Sequence, residues 1–250
     1  MTVWMGTVPI KNDLGEWYCT RRKWESFFEY YDIHKWIIAR ETGRGGYKHW
    51  QVRFQTSQFD SDEGWQELKE WFKKGHFEKA SDTWEYERKE GNYLTSDDND
   101  EKLKQRYGPL RQNQQTVLHA VKNSGDREIV LWLDRRGCSG KSWLCGALYE
   151  RGMAFYCPPY LGDVKGIVQF VASGYRGEGI IVIDLPRDIK WNTTLYAGVE
   201  AIKDGLVADA RYSARTRNIR GVKVLVLANT VPKLDRLSSD RWVIYEPSAQ

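Results

Sequence analysis

A glycine-rich segment in the C-terminal half of the chain has the residue types of a phosphate-binding loop. Residues 134–142 run Asp-Arg-Arg-Gly-Cys-Ser-Gly-Lys-Ser and follow an apolar stretch. In such loops backbone N–H groups bind phosphate oxygens, the lysine reaches the β- and γ-phosphates, and the hydroxyl binds Mg²⁺. The usual spacing has glycine at Arg135, so a Gly-Lys-Ser in an ordinary surface turn is the alternative. The predicted ATP site consists of Gly137, Cys138, Ser139, Gly140, Lys141 and Ser142. Within it, Lys141 is also predicted to be catalytic and Ser142 to bind the metal.

Two later apolar runs end in polar residues that could complete this site. Residues 179–184 end in Asp184, and a carboxylate at the end of a buried strand is placed to bind the metal beside the phosphates. Leu185 stands where a second acid would orient the attacking water, so the base for hydrolysis is left open. Residues 224–229 end in Asn229, which we predict to be catalytic by sensing the γ-phosphate or positioning water. An asparagine that only caps a turn is the alternative.

The N-terminal half contains a candidate metal site. Two β-like runs flank residues 42–46, Thr-Gly-Arg-Gly-Gly, a composition typical of a hairpin turn. If Glu41 pairs with Tyr47, then Glu41, His49 and Gln51 lie on one face, because side chains alternate along a strand. Carboxylate, imidazole and amide groups together suit Mg²⁺ or Mn²⁺. We predict these three residues as metal ligands, with a packed or surface histidine as the alternative.

Tyr86 and Lys89 could supply a nucleophile and a cation to the same centre. Residues 82–94 have a helical pattern with Asp82 as a candidate N-cap, and residues three apart share a helix face. Free tyrosine has a pKa of about 10 and is a poor nucleophile. A divalent metal on the scissile phosphate and Lys89 beside the phenoxide would assist it. We therefore predict Tyr86 and Lys89 as catalytic; a tyrosine packed in the core is the alternative.

Composition and charge restrict the class of protein. Charged residues make up 29% of the chain and no long apolar run occurs, so a soluble globular protein without a membrane span is expected. The N-terminus lacks a secretory pattern and the four cysteines lack metal or disulfide spacing, which indicates an intracellular protein with reduced thiols. Residues 211–223 contain five cations and no acid, which favours a polyanionic partner.

The pattern of elements predicts two domains. A polar, acidic run at residues 96–101 indicates a linker. Before it, an α+β domain is predicted, with strands at 3–8, 35–41 and 47–54 and helices at 23–31, 64–74 and 82–94. After it, an α/β domain with a parallel sheet is predicted, with helices at 114–122, 141–150 and 196–203 and strands at 128–133, 180–183, 222–227 and 241–245. The predicted boundaries are 1–95, 96–125 for a linker with short oligomerisation helices, and 126–250.

In this order, the motifs resemble those of the replication-associated (Rep) proteins of circular single-stranded DNA viruses, of the smacovirus and nanovirus types. His49-Trp50-Gln51 is similar to a reduced form of the family's His-hydrophobic-His metal motif, and Glu41 matches its additional acidic ligand. Tyr86-Glu87-Arg88-Lys89 matches its Tyr-x-x-Lys nicking motif. The phosphate loop, Asp184 and Asn229 resemble the three ATPase motifs of superfamily-3 helicases.

The resemblance implies an HUH-endonuclease-like α+β domain that nicks and joins DNA, followed by a superfamily-3 helicase-like P-loop ATPase domain. It implies rolling-circle replication, in which Tyr86 attacks the origin phosphodiester, keeps the 5′ phosphate and leaves a 3′ hydroxyl for a host polymerase. The implied partners are single-stranded DNA at a viral origin and further copies of the chain in a hexameric ring. The implied location is the host cell nucleus.

The ring also implies roles for several arginines. Arg241 is the expected arginine finger, with Arg236 as its substitute. A hairpin loop in the channel would grip DNA through Arg211, Tyr212, Arg215 and Arg217.

Two other hypotheses are compatible with parts of the sequence. One is a P-loop NTPase whose N-terminal domain only binds nucleic acid, with Tyr86 structural. The other is a non-enzymatic DNA-binding protein with a decayed P-loop, which Arg135 and Leu185 favour. Most of the 12 tryptophans, including Trp50 and Trp132, are expected in the core.

Overall fold

The computed structural model describes residues 1–43, 45–211 and 215–246. The chain forms two compact units, Met1–Arg106 and Tyr107–Gln250, so the division falls inside the segment 96–125. The acidic run at 96–101 belongs to the first unit, where Asp98 accepts hydrogen bonds from Arg106. Among the described residues no helix is both long and apolar enough to cross a membrane.

The first unit is an antiparallel sheet with helices on one side. Its five strands lie in the order β4-β1-β3-β2-β5. The elements in chain order are β1 (Thr2–Pro9), α1 (Arg21–Tyr30), β2 (Trp36–Thr42), β3 (Lys48–Thr56), α2 (Asp62–Trp71), β4 (His76–Lys79), β5 (Tyr93–Thr95) and α3 (Asp100–Tyr107).

The two faces of this sheet differ in chemistry. One face packs against the helices in an aromatic core, where Trp24 and Phe72 stack with ring centroids 4.0 Å apart. Val52 and Phe54 of β3 join this core and are fully buried. Because side chains alternate along β3, His49, Gln51 and Arg53 lie on the opposite face. The helical side therefore stabilises the unit, while the other side presents polar groups.

The helix predicted at residues 82–94 is wrong. Residues 86–88 form a single 3₁₀ turn, and Tyr93–Thr95 form β5, in which Tyr93 pairs with Ala39 of β2. Gly91 has a φ of +67°, which a right-handed helix cannot accommodate. The edge pairing also buries Tyr93 to 1% exposure, a gain that a solvent-exposed helix lacks.

The second unit is an α/β fold with the expected parallel sheet. Its five strands lie in the order β12-β6-β11-β8-β7, and a separate β9-β10 hairpin adds two strands. The elements are α4 (Gln112–Asn123), β6 (Ile129–Leu133), α5 (Lys141–Glu150), β7 (Ala154–Tyr156), α6 (Val164–Gly174), β8 (Ile180–Asp184), α7 (Thr193–Asp204), β9 (Leu206–Asp209), β10 (Arg215–Asn218), β11 (Lys223–Ala228) and β12 (Trp242–Tyr245).

Both faces of the parallel sheet are covered, which explains the continuous apolar runs in its strands. Ile129 and Leu131 of β6 face one core cluster, whereas Val130 and Trp132 face the other. Strands β6, β8 and β11 run side by side in the same direction. Their carboxyl ends therefore lie at one edge of the sheet, where polar residues that follow them can converge.

Candidate functional site

The hairpin β2–β3 brings the predicted metal ligands together, in a register that differs from the predicted one. Glu41 pairs with His49, whereas the sequence analysis paired it with Tyr47. The shift is by two residues, so the parity of side-chain directions is unchanged and Glu41, His49 and Gln51 still share a face. The distance from Glu41 Oε2 to His49 Nε2 is 3.8 Å.

The chemistry of this group fits a divalent cation. Glu41 is 5% exposed, and its Oε1 atom is buried without a hydrogen-bond partner. Gln51 Oε1 accepts a hydrogen bond of 2.9 Å from the Thr7 hydroxyl, which fixes the amide. Among the residues that the structure describes, no group of three or more His, Cys, Asp or Glu side chains is arranged to hold a metal ion, so the candidate donor set includes the Gln51 amide. An orphaned buried carboxylate oxygen beside an imidazole is the kind of group that a hard cation satisfies.

Tyr86 and Lys89 lie at the same centre, although on a 3₁₀ turn and not on an α-helix. Lys89 Nζ is 2.7 Å from Glu41 Oε2 and 3.8 Å from the centre of the Tyr86 ring. Tyr86 is 47% exposed, so its side chain is partly accessible. Burial alone lowers the pKa of Lys89, but hydrogen bonds with Glu41 and Tyr86 outweigh it and raise the pKa above its ordinary value. Lys89 is therefore a cation held between the acid and the phenol.

A buried ion pair that the sequence analysis missed attaches this turn to the sheet. Arg53 Nε donates to Glu87 Oε1 at 3.0 Å, and Arg53 Nη1 donates to the Ser81 carbonyl at 2.6 Å. Burial raises the pKa of Glu87, while the Arg53 charge opposes that shift. Because Glu87 directly follows Tyr86, the pair fixes the tyrosine relative to β3. The signal in the sequence was an arginine in the alternation of His49 and Gln51, on a strand whose intervening residues are apolar.

The predicted phosphate loop connects β6 to the start of α5. Gly137, Cys138 and Gly140 have φ values of +89°, +65° and +86°, which turn successive N–H groups inward. Asp134 Oδ1 accepts from the N–H groups of Arg136 and Gly137 at 3.1 and 2.8 Å. The loop therefore has the concave backbone of an anion site even though Arg135 replaces the usual glycine.

The Asp134 carboxylate takes up several donors of this loop. Its Oδ2 accepts from Ser139 N at 3.3 Å and from Lys141 Nζ at 3.2 Å. Burial alone raises the pKa of Asp134, but hydrogen bonds from Ser139, Gly137 and Lys141 outweigh it and hold the pKa well below its usual range. A carboxylate bound by these groups indicates that the loop is electrostatically suited to anions.

Asp184 and Asn229 lie at the same sheet edge as the loop. Together with residues 137–142 they line a cleft of about 440 Å³. Asn229 Nδ2 donates to the Asp134 carbonyl at 2.6 Å. Arg187, which the sequence analysis did not assign, lines the cleft and donates to the Arg136 carbonyl at 3.2 Å. The structure thus brings the predicted ATP-site residues into one cleft and adds the cation Arg187 to it.

Helix α4 supports the loop from its other side. Asn113 Nδ2 donates to the Ser139 carbonyl at 3.1 Å, and Gln114 Nε2 donates to the Gly140 carbonyl at 3.0 Å. Gln114 is 1% exposed. These two amides bind carbonyls of the loop and so anchor it to α4. No local sequence pattern predicts that Asn113 and Gln114 bind the loop, because the contact depends on how α4 packs in the fold.

Arg241, the expected arginine finger, directly precedes β12. Its side chain is 4% exposed and donates to Asp204 at 2.8 Å, with Glu200 at 3.5 Å. Arg241 thus binds the end of α7 within one chain, and its role as an arginine finger stays a prediction. Arg236, the substitute, is exposed.

The predicted DNA-gripping residues lie on and beside the β9–β10 hairpin. Arg211 is exposed and its Nε lies 2.9 Å from Asp209 Oδ1, and Arg215 is exposed at the start of β10. Arg217 is half-buried and donates to the carbonyls of Ala172, at 3.2 Å, and Tyr175. Arg217 is thus tied to α6, which leaves Arg211 and Arg215 as the accessible cations. Tyr212 lies outside the described residues.

Comparison with known proteins gives low-identity matches to viral replication proteins, and no family model matches. The chain is 29% identical over 115 residues to the master replication protein of Banana bunchy top virus, covering 46% of this chain and 38% of that protein. It is 24% identical over 135 residues to the master replication protein of Subterranean clover stunt virus, covering 54% and 45%. It is 27% identical over 136 residues to the Para-Rep C6 of Subterranean clover stunt C6 alphasatellite, covering 53% and 46%.

The matched region is less than half the length of each of these relatives. The predicted resemblance to nanovirus replication proteins is confirmed at this level. The resemblance to the smacovirus type stays a prediction.

Proposed function

We propose, from this similarity as the premise, that the chain initiates rolling-circle replication by nicking and joining single-stranded origin DNA through Tyr86. The observation that carries the proposal is Lys89, whose ammonium lies 2.7 Å from Glu41 and over the Tyr86 ring. Lys89 therefore connects the predicted nicking motif, residues 86–89, with Glu41 of the predicted metal site. A tyrosine packed in the core does not account for this arrangement, because Tyr86 is half-exposed.

The chemical step is a phosphoryl transfer to a phenol. The Tyr86 oxygen forms a bond to the scissile phosphorus while the bond from phosphorus to the 3′ oxygen breaks. The phenolic proton passes to solvent, and the released 3′ oxygen gains a proton from solvent. Lys89 stays cationic throughout and stabilises the phenoxide. The reverse reaction, with the 3′ hydroxyl as nucleophile, joins the strand and releases Tyr86.

A divalent cation, Mg²⁺ or Mn²⁺, is part of the proposal. Glu41, His49 and Gln51 would hold it, and the unpartnered Glu41 Oε1 supports this assignment. When bound, such a cation polarises the scissile phosphate and offsets its charge. Thr7 orients Gln51 through its hydroxyl.

The second unit is proposed to bind and hydrolyse ATP and to unwind DNA. Gly137, Cys138, Ser139, Gly140, Lys141 and Ser142 would hold the phosphates, with Asp184 and Ser142 as Mg²⁺ ligands and Asn229 near the γ-phosphate. The cleft that these residues line supports the assignment. The hexameric ring, the host polymerase and the nuclear location belong to the proposal as implications of the resemblance.

The test is formation of a covalent adduct. The full-length protein is incubated with labelled single-stranded oligonucleotides that carry a candidate origin loop and Mn²⁺, and products are resolved on a denaturing gel. Wild type is expected to give an adduct that chelation of Mn²⁺ abolishes, and Tyr86→Phe to give none. Tyr30→Phe is the matched control, since Tyr30 is 73% exposed in the same unit and is expected to leave the adduct unchanged.

An adduct that persists in Tyr86→Phe would assign the nucleophile to another residue. A folded, ATP-hydrolysing wild type that forms no adduct on an origin cleaved by a related Rep would contradict the nicking proposal. The remaining hypothesis would then be a nucleic-acid-binding NTPase.

A further inference from the structure

Trp17 is exposed in a protein that otherwise covers its tryptophans. Its side chain is 64% exposed, and it is the only one of the 12 tryptophans that is exposed; all of them lie in the described ranges. The others are buried or half-buried. Single exposed apolar residues are common on protein surfaces, so exposure alone does not define a site. The loop that carries Trp17 and its neighbours supply the further evidence.

The loop holds Trp17 in a fixed position. Asn12 N donates to the Glu16 carbonyl at 2.8 Å, and Asn12 Oδ1 accepts from the N–H groups of Leu14 and Glu16 at 3.0 and 2.9 Å. A β-bridge joins Lys11 to Trp17. The backbone that carries the indole is therefore held by hydrogen bonds, which reduces the conformational entropy lost when a ligand stacks on Trp17.

The hairpin continues the sheet at the end where the metal ligands lie. Pro9 pairs with His49, and the next residue, Ile10, donates its N–H to the Lys48 carbonyl at 3.4 Å. The paired register ends at Pro9 and His49, and Lys11 and Tyr47 are the next residues of the same parity on the two segments. Because side chains alternate along strands, we expect Tyr47 and Lys11 on the same face as His49.

Two exposed aromatic residues, Trp17 and Tyr47, thus lie on segments that adjoin the candidate nicking centre. The Tyr47 ring stacks on His49 with centroids 5.5 Å apart, and Tyr47 is 52% exposed. Lys11 Nζ lies 5.6 Å from the centre of the Trp17 ring. The acids of the hairpin are engaged elsewhere, Asp13 with Lys74 and Glu16 with Asn12.

We propose that Trp17, Lys11 and Tyr47 form a stacking site for unpaired bases of single-stranded DNA next to the phosphate that Tyr86 attacks. Aromatic faces stack on bases of any sequence, and an interposed cation meets the backbone phosphate. Bases within a duplex have no free face, so the site selects single strands. The proposal rests on the proposed function, since it requires a DNA strand at Tyr86.

The test measures equilibrium binding of a fluorescein-labelled oligothymidylate by anisotropy. The full chain carries Tyr86→Phe to prevent turnover. Trp17→Ala is expected to weaken binding by about 5- to 150-fold, the range that corresponds to loss of one stacked base. Trp17→Phe keeps a ring and is expected to restore most of the affinity. Leu14→Ala is the matched control, because Leu14 is 82% exposed in the same loop and is expected to have no effect.

Salt dependence separates stacking from charge. Trp17→Ala is expected to leave the slope of log affinity against log salt unchanged, whereas Lys11→Gln is expected to reduce it by about 0.7, the contribution of one phosphate contact to a single strand. The proposal is overturned if Trp17→Ala binds like Leu14→Ala, or if Trp17→Phe binds as weakly as Trp17→Ala.

Failure of this site and failure of the proposed function give different results. In the chain with Tyr86 intact, Trp17→Ala is expected to form the adduct at the wild-type rate once the origin oligonucleotide is saturating. If Trp17→Ala binds oligothymidylate as tightly as Leu14→Ala while wild type forms the adduct normally, only the stacking site is overturned. A Trp17-dependent affinity without any wild-type adduct supports the stacking site and contradicts the nicking proposal.

Discussion

At the scale of single residues, the buried pair Arg53–Glu87 explains how a tyrosine on a short turn can be held precisely. Glu87 is 1% exposed and directly follows Tyr86 in the chain. Arg53 is 4% exposed and lies two residues after Gln51. A 3₁₀ turn of three residues has little stability of its own. The ion pair therefore determines where Tyr86 stands relative to the candidate ligands.

Glu87→Gln is expected to slow adduct formation more than 10-fold per folded molecule. The neutral amide leaves Arg53 buried without its counter-charge, which costs about 3 to 5 kcal/mol of stability and shifts the turn. The measurement is single-turnover adduct formation at saturating oligonucleotide, with unfolding by urea recorded in parallel.

Asp98→Asn is the control for Glu87→Gln, because it breaks the buried Asp98–Arg106 pair in the same unit without touching Tyr86. It is expected to lose stability but to keep the adduct rate. Equal adduct rates in the two folded variants would reduce the Arg53–Glu87 pair to a purely structural role.

At the scale of elements, the segment from β5 to α3 is held by carboxylates. Asp98 accepts from Thr95 N at 3.0 Å and binds Arg106 at 2.7 Å. Burial alone raises the pKa of Asp98, but Arg106 and Thr95 outweigh it and lower the pKa. Hydrogen bonds from Lys102 and Thr95 lower the pKa of Asp97 to about 2. The residues predicted as a linker are thus a charged clamp on the last strand of the sheet.

This clamp predicts an acid-sensitive first unit. Both folded pKa values lie below the unfolded value of about 3.9, so the stabilisation is complete above about pH 5 and is lost as the pH falls toward 2. Urea midpoints followed by tryptophan fluorescence are expected to fall between pH 5 and pH 3 in wild type. The fall should be shallower in Asp98→Asn, which cannot titrate at that position; identical slopes would contradict the assignment.

At the scale of the whole molecule, the two candidate chemistries lie in separate units. Tyr86 and its neighbours belong to Met1–Arg106, and the cleft around Lys141 belongs to Tyr107–Gln250. The residues described above for each centre come from one unit only. The two activities should therefore be separable by single substitutions in the intact protein.

Lys141→Ala is expected to abolish ATP hydrolysis while leaving adduct formation on a single-stranded origin loop within about twofold of wild type. The lysine is the cation of the phosphate loop, so its loss leaves the Asp134 carboxylate uncompensated in the anion site. Tyr86→Phe is expected to abolish adduct formation and to leave ATP hydrolysis unchanged. Steady-state phosphate release and the denaturing gel measure the two activities, and loss of both in folded Lys141→Ala would show that nicking requires nucleotide.

Local patterns in the sequence were enough to identify which residues share a site. The alternation of β3 put His49 and Gln51 on one face, and this survived a two-residue error in register because parity alone decides the face. The apolar strands that end just before Asp134 and Asn229 and at Asp184 likewise indicated one edge of a parallel sheet. The alternation of side chains along a strand and the order of strands and helices are properties of short segments, so they can be predicted from the sequence.

What only the tertiary structure decided depends on contacts between distant segments. Residues 86–95 form a turn and a strand because Tyr93 gains burial against β2, and Arg241 binds Asp204 at the end of α7. Arg53 finds Glu87 34 residues away, and Trp17 stays exposed while the other tryptophans are covered. Burial and ion pairing are decided by the whole packed molecule, so the composition of a short segment cannot determine them.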